Sequence, residues 1–391
     1  MSGEIARRGF FQDQVWGPLR DTVREAYTAR DYPLGYSAAL DGLRGLMTLG
    51  IIVAHVRYRL VPGSILFMDV FFVMSGYFIT SLLLRDMERH GGIRYGEFYR
   101  RRFARILPPF AAMLLAYLLF QWLVSPAFRE AVGEAAIAFF YVENWWRALS
   151  LPGKTTYLGH TWSLAVEEQF YLFWPVTFAL LVRRFGVSWR LVGGIMTIAL
   201  TVWAWRIWLT SANPTHWWRF YNGLDTRMDA LMVGCALAVV LRLVPPGACP
   251  KLDRVLPKLA WPFLVTSLLA AFFFIPYTNP LYYYVGIMLC GALPGAVLVT
   301  MLIRSSGTVV HRLLERPEPV FLGTIFYGMY LWHYPILVVL KEQLGLRYVM
   351  QFAIGFPLTV LLATLSYVYI ERHFMRVRTR APGHVPALAA A

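Results

Sequence analysis

The chain is poor in charge and in cysteine. Only 15% of its 391 residues are charged, whereas 58% are hydrophobic. Such a composition excludes an ordinary soluble globular domain and predicts a polytopic membrane protein. The three cysteines, Cys235, Cys249 and Cys290, have no metal-ligand spacing, so they indicate neither a metal site nor a disulfide framework.

Two further features are missing. The polar N-terminal 39 residues contain no early apolar run, so we expect no cleavable signal peptide. We also find no internal repeat, whereas many transporters are built from inverted repeats. A transporter or carrier of a lipid-linked glycan therefore remains only as an alternative from another functional class.

The apolar segments set the topology. Ten apolar segments are candidates for transmembrane helices. A weaker eleventh candidate, 133–147, is interrupted by Glu134, Glu143 and Asn144. If it stays outside and the N-terminus is cytoplasmic, most of the 37 lysines and arginines lie on the cytoplasmic side. We therefore predict an all-α bundle of about ten transmembrane helices with both termini cytoplasmic, and an external loop over 133–147 along the interface. The ten segments lie near 40–57, 64–85, 105–124, 162–182, 190–209, 225–243, 259–276, 283–303, 320–340 and 349–371.

The charge that is present is mostly positive. The formal net charge is +15. The positive-inside bias and contact with anionic lipids explain this excess, so we expect the lipid bilayer as a partner and no nucleic acid.

Ionisable side chains nevertheless recur inside the apolar segments. Arg44 and His55 in the first segment are eleven residues apart, which places them on one helix face about 16 Å from each other. Because such groups are costly in hydrocarbon, a shared polar cavity is expected. One set faces the outer half of the bundle: His55, Asp69, His160, Glu167, Glu168, Arg206, Asp225, Arg227, Asp229 and His333. The other faces the inner mouth: Arg44, Arg85, Arg100, Arg101, Arg102, Arg105, Glu371 and Arg372.

Seven sequence blocks, in order, resemble the acyltransferase 3 family of membrane proteins. Together they cover roughly residues 38 to 375, and their order makes the resemblance specific. The blocks are Leu40–Arg44 with His55, Asp69–Tyr77, Arg101–Pro108, His160–Tyr171, Arg227–Leu231, Tyr330–Pro335 and Glu371–Arg372.

The resemblance implies a multi-pass O-acyltransferase of the bacterial inner, or cytoplasmic, membrane. Such proteins move an acyl group, usually acetyl, from cytoplasmic acyl-CoA to a hydroxyl of a cell-envelope or exported glycan, or of an antibiotic or other small molecule. Acetyl-CoA or another acyl-CoA is thus the expected donor, and no metal is expected. Residues 38–375 would form the transmembrane domain, 1–37 a cytoplasmic N-terminal segment and 376–391 a cytoplasmic tail. We expect the stand-alone form, without the C-terminal SGNH domain of some relatives.

Acyl transfer to a hydroxyl requires a base, and His55 is the best candidate. The pKa of histidine lies nearest neutrality, and the position of His55 suits an acceptor from the outer side. In a two-step version His55 would carry the acyl group transiently. Asp69 could orient His55, as a carboxylate does in a catalytic triad; the alternative is a helix-end carboxylate near the interface.

Glu167 and Glu168 are adjacent, so we expect only one of them to face the cavity with His160. Glu167 is favoured because it lies seven residues, about two helical turns, after His160. The alternative is that Glu168 faces the cavity and Glu167 pairs with Arg206 or Arg227.

The donor site is expected at the inner mouth. Arg102 and Arg105 have i,i+3 spacing and suit phosphate groups, although positive-inside topology alone also explains arginines there. Arg44 could contact the pantetheine or pyrophosphate, or pair with Glu371. Ser75 lies beside Gly76, which would allow close approach of a backbone or a thin acyl-pantetheine chain.

The acceptor site is expected among the remaining candidates. His160, Trp332 and His333 could contact a sugar, although an aromatic belt also explains the tryptophan. Arg227 and Asp229 could bind the acceptor or form an internal ion pair.

Overall fold

The computed structural model confirms the all-α prediction. It describes residues 37–60, 62–149, 156–274, 278–305 and 307–376, and no strand occurs in these ranges. The family domain predicted over 38–375 falls almost entirely within them. The predicted N-terminal segment and tail lie outside the described residues, apart from one residue each.

Sixteen α-helices follow one another through the described ranges. They are α1 (Ala38–Val56), α2 (Ile65–His90), α3 (Tyr95–Val124), α4 (Phe128–Phe139), α5 (Glu143–Leu149), α6 (Trp162–Phe185), α7 (Trp189–Ala212), α8 (Trp217–Asn222), α9 (Leu224–Leu243), α10 (Pro250–Phe274), α11 (Leu293–Arg304), α12 (Val309–Leu314), α13 (Pro317–Thr324), α14 (Phe326–Val338), α15 (Tyr348–Ser366) and α16 (Arg372–Arg376). Three π-helical stretches continue some of them, Tyr282–Ala292, Val339–Gln343 and Tyr367–Glu371.

Within the described ranges, six helical segments are long and apolar enough to cross a membrane, or seven if one bent pair is a single span. α6 and α9, at 24 and 20 residues, have comparable length but carry charged side chains. The figure of ten therefore stays a prediction. The six segments are Ala38–Val56, Pro62–His90, Tyr95–Val124, Trp189–Ala212, Tyr282–Arg304 and Tyr348–Phe374.

The segment 320–340, which we predicted as one span, is broken. α13 and the helix that begins at Phe326 meet at 73°. Gly323 of α13 has no Cβ, so this helix lies directly against the Asp41 backbone of α1. On α1, Gly42 and Gly45 admit the backbones of Leu314 and Pro319 in the same way. An apolar run cannot distinguish a straight span from a bent one, because both bury the same residues.

The polar-interrupted segment 133–147 forms α4 and α5. At 12 residues α4 is about 18 Å long, too short for a hydrocarbon core of about 30 Å. Its Ala131, Ala135 and Ala138 are buried in one cluster with Phe110 of α3. This agrees with the prediction that the segment 133–147 packs on the bundle and does not cross the membrane.

Two glycines bring α2 and α9 together. A Cβ on Gly76 would overlap the Leu231 carbonyl, and one on Gly234 would overlap the Val73 carbonyl. Gly76 thus serves the packing of α2 against α9.

Candidate functional site

A histidine cluster forms where the C-terminal turn of α1 meets α14. His55 Nδ1 and His333 Nε2 are 3.0 Å apart, and the two rings stack. The His160 ring, from the turn before α6, lies with its centroid 5.4 Å from that of His333. His55 is exposed, whereas His333 and His160 are 0% and 2% exposed. The structure thus brings together three of the predicted site residues, from three distant parts of the chain.

Two tyrosines of α14 complete this cluster. The Tyr334 ring centroid lies 5.0 Å from those of both His55 and His160. The Tyr330 hydroxyl donates to the His160 carbonyl oxygen at 2.6 Å. Tyr330, His333 and Tyr334 share one helix face through their i,i+3 and i,i+4 spacing. This spacing is the signal that could have identified Tyr334 from the sequence.

Trp332 points elsewhere. It is only partly buried and packs against the cluster that joins α3, α4 and α14. A neighbouring residue on a helix projects about 100° away, so Trp332 and His333 do not share a face. The structure therefore separates the Trp332 side chain from those of His160 and His333.

Arg147 on α5 is a residue that the sequence reasoning missed. Its guanidinium lies against Gly159, the residue before His160, and 3.9 Å from Glu143. Gln169 of α6 holds α5 in place: its Nε2 donates to the Asn144 side chain at 2.9 Å, and its Oε1 accepts from Trp145 Nε1 at 3.1 Å. The polar residues Glu143 and Asn144 within the apolar segment 133–147 were the sequence signal that could have pointed to this helix.

A cavity of about 480 Å³ lies between α1, α2, α3, α6 and α14. Several predicted residues line it, but the three clustered histidines do not. Those predicted residues are Arg44, Ser75, Arg102, Arg105, Glu167 and Glu168.

Both adjacent glutamates line this cavity, which His160 does not line, so the prediction that only one of them faces a cavity together with His160 stays a prediction. The Ser75 hydroxyl bonds with Glu167 and with the Tyr171 hydroxyl. Glu168 accepts from Arg102, including a bond from Nε of 2.9 Å. Two successive helix positions can both reach the cavity because it is bounded by α2 on one side and α3 on the other.

The two arginines predicted to bind phosphate, Arg102 and Arg105, differ in their surroundings at the cavity. The Arg102 guanidinium binds Glu168 and lies 3.3 Å from the centre of the Tyr171 ring. Arg105 is exposed in the cavity lining. Arg44 lies 4.1 Å from the centre of the Phe78 ring and 3.5 Å from Asp41, which replaces the pairing with Glu371 that we considered.

Asp69 is not the partner of His55, contrary to prediction. Its carboxylate binds Arg227 at 2.7 Å and accepts from the Tyr282 hydroxyl at 3.1 Å, with Asp69 and Arg227 both 0% exposed. A second fully buried pair joins Arg206 to Asp229 at 2.7 Å. A buried charge needs a partner, and these residues supply one another.

Arg227 and Asp229 therefore lie in the interior and not at the histidine cluster, and they do not pair with each other. This burial favours the internal ion-pair alternative for both. It also removes the alternative pairing of Glu167 with Arg206 or Arg227. Within the described ranges, no group of three or more histidine, cysteine or acidic side chains could hold a metal ion.

Comparison with known proteins adds the family context. The family model described as acyltransferase domain, of the acyltransferase 3 type, matches residues 37–368. The peptidoglycan O-acetyltransferase OatA of Listeria monocytogenes is 30% identical over 362 residues, 87% of this chain and 56% of the relative. The putative peptidoglycan O-acetyltransferase YrhL of Bacillus subtilis is 31% identical over 353 residues, 86% of this chain and 54% of the relative.

A putative O-acetyltransferase of Staphylococcus aureus is 32% identical over 375 residues, 90% of this chain and 60% of the relative. The chain thus spans between half and two thirds of the length of these relatives. No solved structure matches the chain.

Proposed function

The chain belongs to the acyltransferase 3 family, and on that premise we propose that it is a multi-pass O-acetyltransferase of the bacterial cytoplasmic membrane. It takes acetyl from acetyl-CoA on the cytoplasmic side and transfers it to a hydroxyl of a cell-wall glycan. The names of the relatives support the acetyl group and the glycan. The observation that carries the proposal is an exposed His55, backed by a buried histidine, on the same helix as the cavity residue Arg44.

The cavity is the proposed donor site. The donor carries phosphates, which arginine side chains bind through paired N–H groups. Arg105, exposed in the lining, is available to a phosphate, while Arg102 would exchange Glu168 for it. From Arg44, α1 runs about 16 Å to His55, so the acetyl-bearing arm would extend along this helix.

His55 is the proposed base. It accepts the proton of the acceptor hydroxyl as that oxygen bonds to the acetyl carbonyl carbon. The carbon–sulfur bond of the thioester then breaks, and His55 returns the proton to the leaving thiolate. In the two-step version a ring nitrogen of His55 bonds to the acetyl carbonyl carbon and the CoA thiolate leaves; the acceptor oxygen then displaces the His55 nitrogen, and the thiolate takes the hydroxyl proton.

Labelled acetyl-CoA, offered to the purified protein with and without cell-wall glycan, tests the proposal. We expect glycan-dependent release of CoA and labelled glycan from the wild type, and loss of both in His55→Ala. His216→Ala is the matched control, because His216 is an exposed histidine that bonds only locally, with Asn213. Equal activity of the two variants would exclude His55 as the base. A wild type that consumes no acetyl-CoA would overturn the proposed function.

A further inference from the structure

We propose that His333 is a positioning residue that fixes the ring of His55 so that Nε2 is the nitrogen that accepts the proton. The inference rests on the proposed function, since it concerns the base of that reaction. It assigns His333 a role behind the base, whereas the sequence suggested direct contact with the acceptor. The inference is based on hydrogen bonds that link Met329, His333 and His55.

The chain begins at a backbone carbonyl. His333 Nδ1 lies 3.1 Å from the Met329 carbonyl oxygen, one turn earlier on α14. A carbonyl oxygen can only accept, so Nδ1 of His333 carries the hydrogen. The protonated nitrogen of His333 is therefore set by the backbone of its own helix.

Burial keeps His333 neutral. His333 is 0% exposed, and burial disfavours a charged imidazolium. The groups that face it are His55, His160, Tyr330 and Tyr334, and no carboxylate in the described ranges bonds to it. A neutral His333 with hydrogen on Nδ1 has a lone pair on Nε2. The 3.0 Å contact is then a bond that the Nδ1–H of His55 donates to Nε2 of His333.

The remaining nitrogen of the pair is Nε2 of His55. With Nδ1 of His55 donating, its Nε2 keeps the lone pair that a general base needs. His55 is exposed while His333 is buried, so a reactant can reach this pair only at the His55 ring. His333 thus takes the orienting place that a carboxylate holds in a catalytic triad, without a negative charge.

Two substitutions of similar polarity separate positioning from packing. In His333→Gln the carboxamide reaches the place of Nε2 and can accept from His55. In His333→Asn it reaches only the place of Nδ1, so the bond to Met329 survives and the bond to His55 is lost. We expect the Gln variant to keep most of the wild-type kcat. The kcat of the Asn variant should fall roughly 10²- to 10⁴-fold, with an unchanged KM for acetyl-CoA. Equal loss in both variants, each folded as wild type, would overturn the positioning role.

A second measurement does not depend on activity. Nitrogen-15 NMR of histidine-labelled protein, with His55 assigned from its absence in His55→Ala, reports which ring nitrogen carries the hydrogen. We expect His55 to be protonated on Nδ1 in the wild type and in His333→Gln, and to lose this preference in His333→Asn. A wild-type His55 protonated on Nε2 overturns the inference even if the enzyme is active. An inactive wild type instead overturns the proposed function.

Discussion

At the scale of single residues, His55 could be inferred from the sequence but its partner could not. A titratable side chain in an apolar run signals function, because the surrounding hydrocarbon makes it costly. His333, which binds it, lies 278 residues away, and no spacing rule relates the two positions. For the same reason Asp69 looked like an orienting group, although the tertiary structure places Arg227 beside it.

Glu143 allows a test at this scale. It is 3% exposed on α5, and burial raises the pKa of its carboxyl to about 7, against the opposing effect of Arg147. The unfolded chain ionises near the ordinary value of 4.5. The folded state therefore loses stability relative to the unfolded state as pH rises from about 4.5 through 7.

The variant Glu143→Gln has no carboxyl and should not show this loss. We measure the Tm of both detergent-purified proteins between pH 5 and pH 8. We expect the Tm of the variant to rise relative to that of the wild type as the pH increases. Parallel Tm curves for the two proteins would contradict the shifted pKa.

At the scale of elements, helix existence was largely predictable and helix shape was not. α1, α2 and α3 form where apolar runs predicted spans. The bend between α13 and α14 was not predicted, and neither was the close contact of Gly323 with α1, which is distant in sequence. Polar residues in 133–147 did indicate that this segment differs from a span.

The close approach of α2 and α9 gives a prediction for elements. Gly76→Ala would place a methyl group against the Leu231 carbonyl, so the helices must separate. Overpacking of this kind costs about 1–3 kcal/mol, and we expect a correspondingly lower free energy of unfolding.

Gly193→Ala is the matched control, because nothing lies within 4 Å of a Cβ at this helical glycine. It should leave stability unchanged or raise it slightly, since alanine is the better helix former. Reversible denaturation in mixed detergent compares the two variants, and equal stability would contradict the packing role of Gly76.

At the scale of the whole molecule, the cavity arises from residues of five helices. Arg102 of α3, Glu168 of α6 and Ser75 of α2 meet only in the assembled bundle. The sequence assigned the glutamates and the arginines to different depths, whereas the structure bonds Arg102 to Glu168.

Arg102→Lys tests the proposed donor role of this assembly. Lysine keeps the charge but cannot form the two parallel bonds of a guanidinium. We expect the KM for acetyl-CoA to rise about tenfold with little change in kcat, the loss of about one hydrogen bond to a charged group. Arg100→Lys, at an exposed arginine outside the cavity lining, should behave as wild type in the same steady-state assay. An unchanged KM in Arg102→Lys would place the donor phosphates elsewhere.

The sequence by itself determined that this is an all-helical membrane protein, that His55 and Arg44 share a helix, and that the chain resembles the acyltransferase 3 family. Hydropathy, helical period and motif order are local properties that can be inferred along one chain. Only the tertiary structure decided that His333 backs His55, that both glutamates enter one cavity, and that Asp69, Arg227, Arg206 and Asp229 neutralise one another in the interior. The physical reason is that buried polar groups must find partners, and the available partners depend on which helix faces come together.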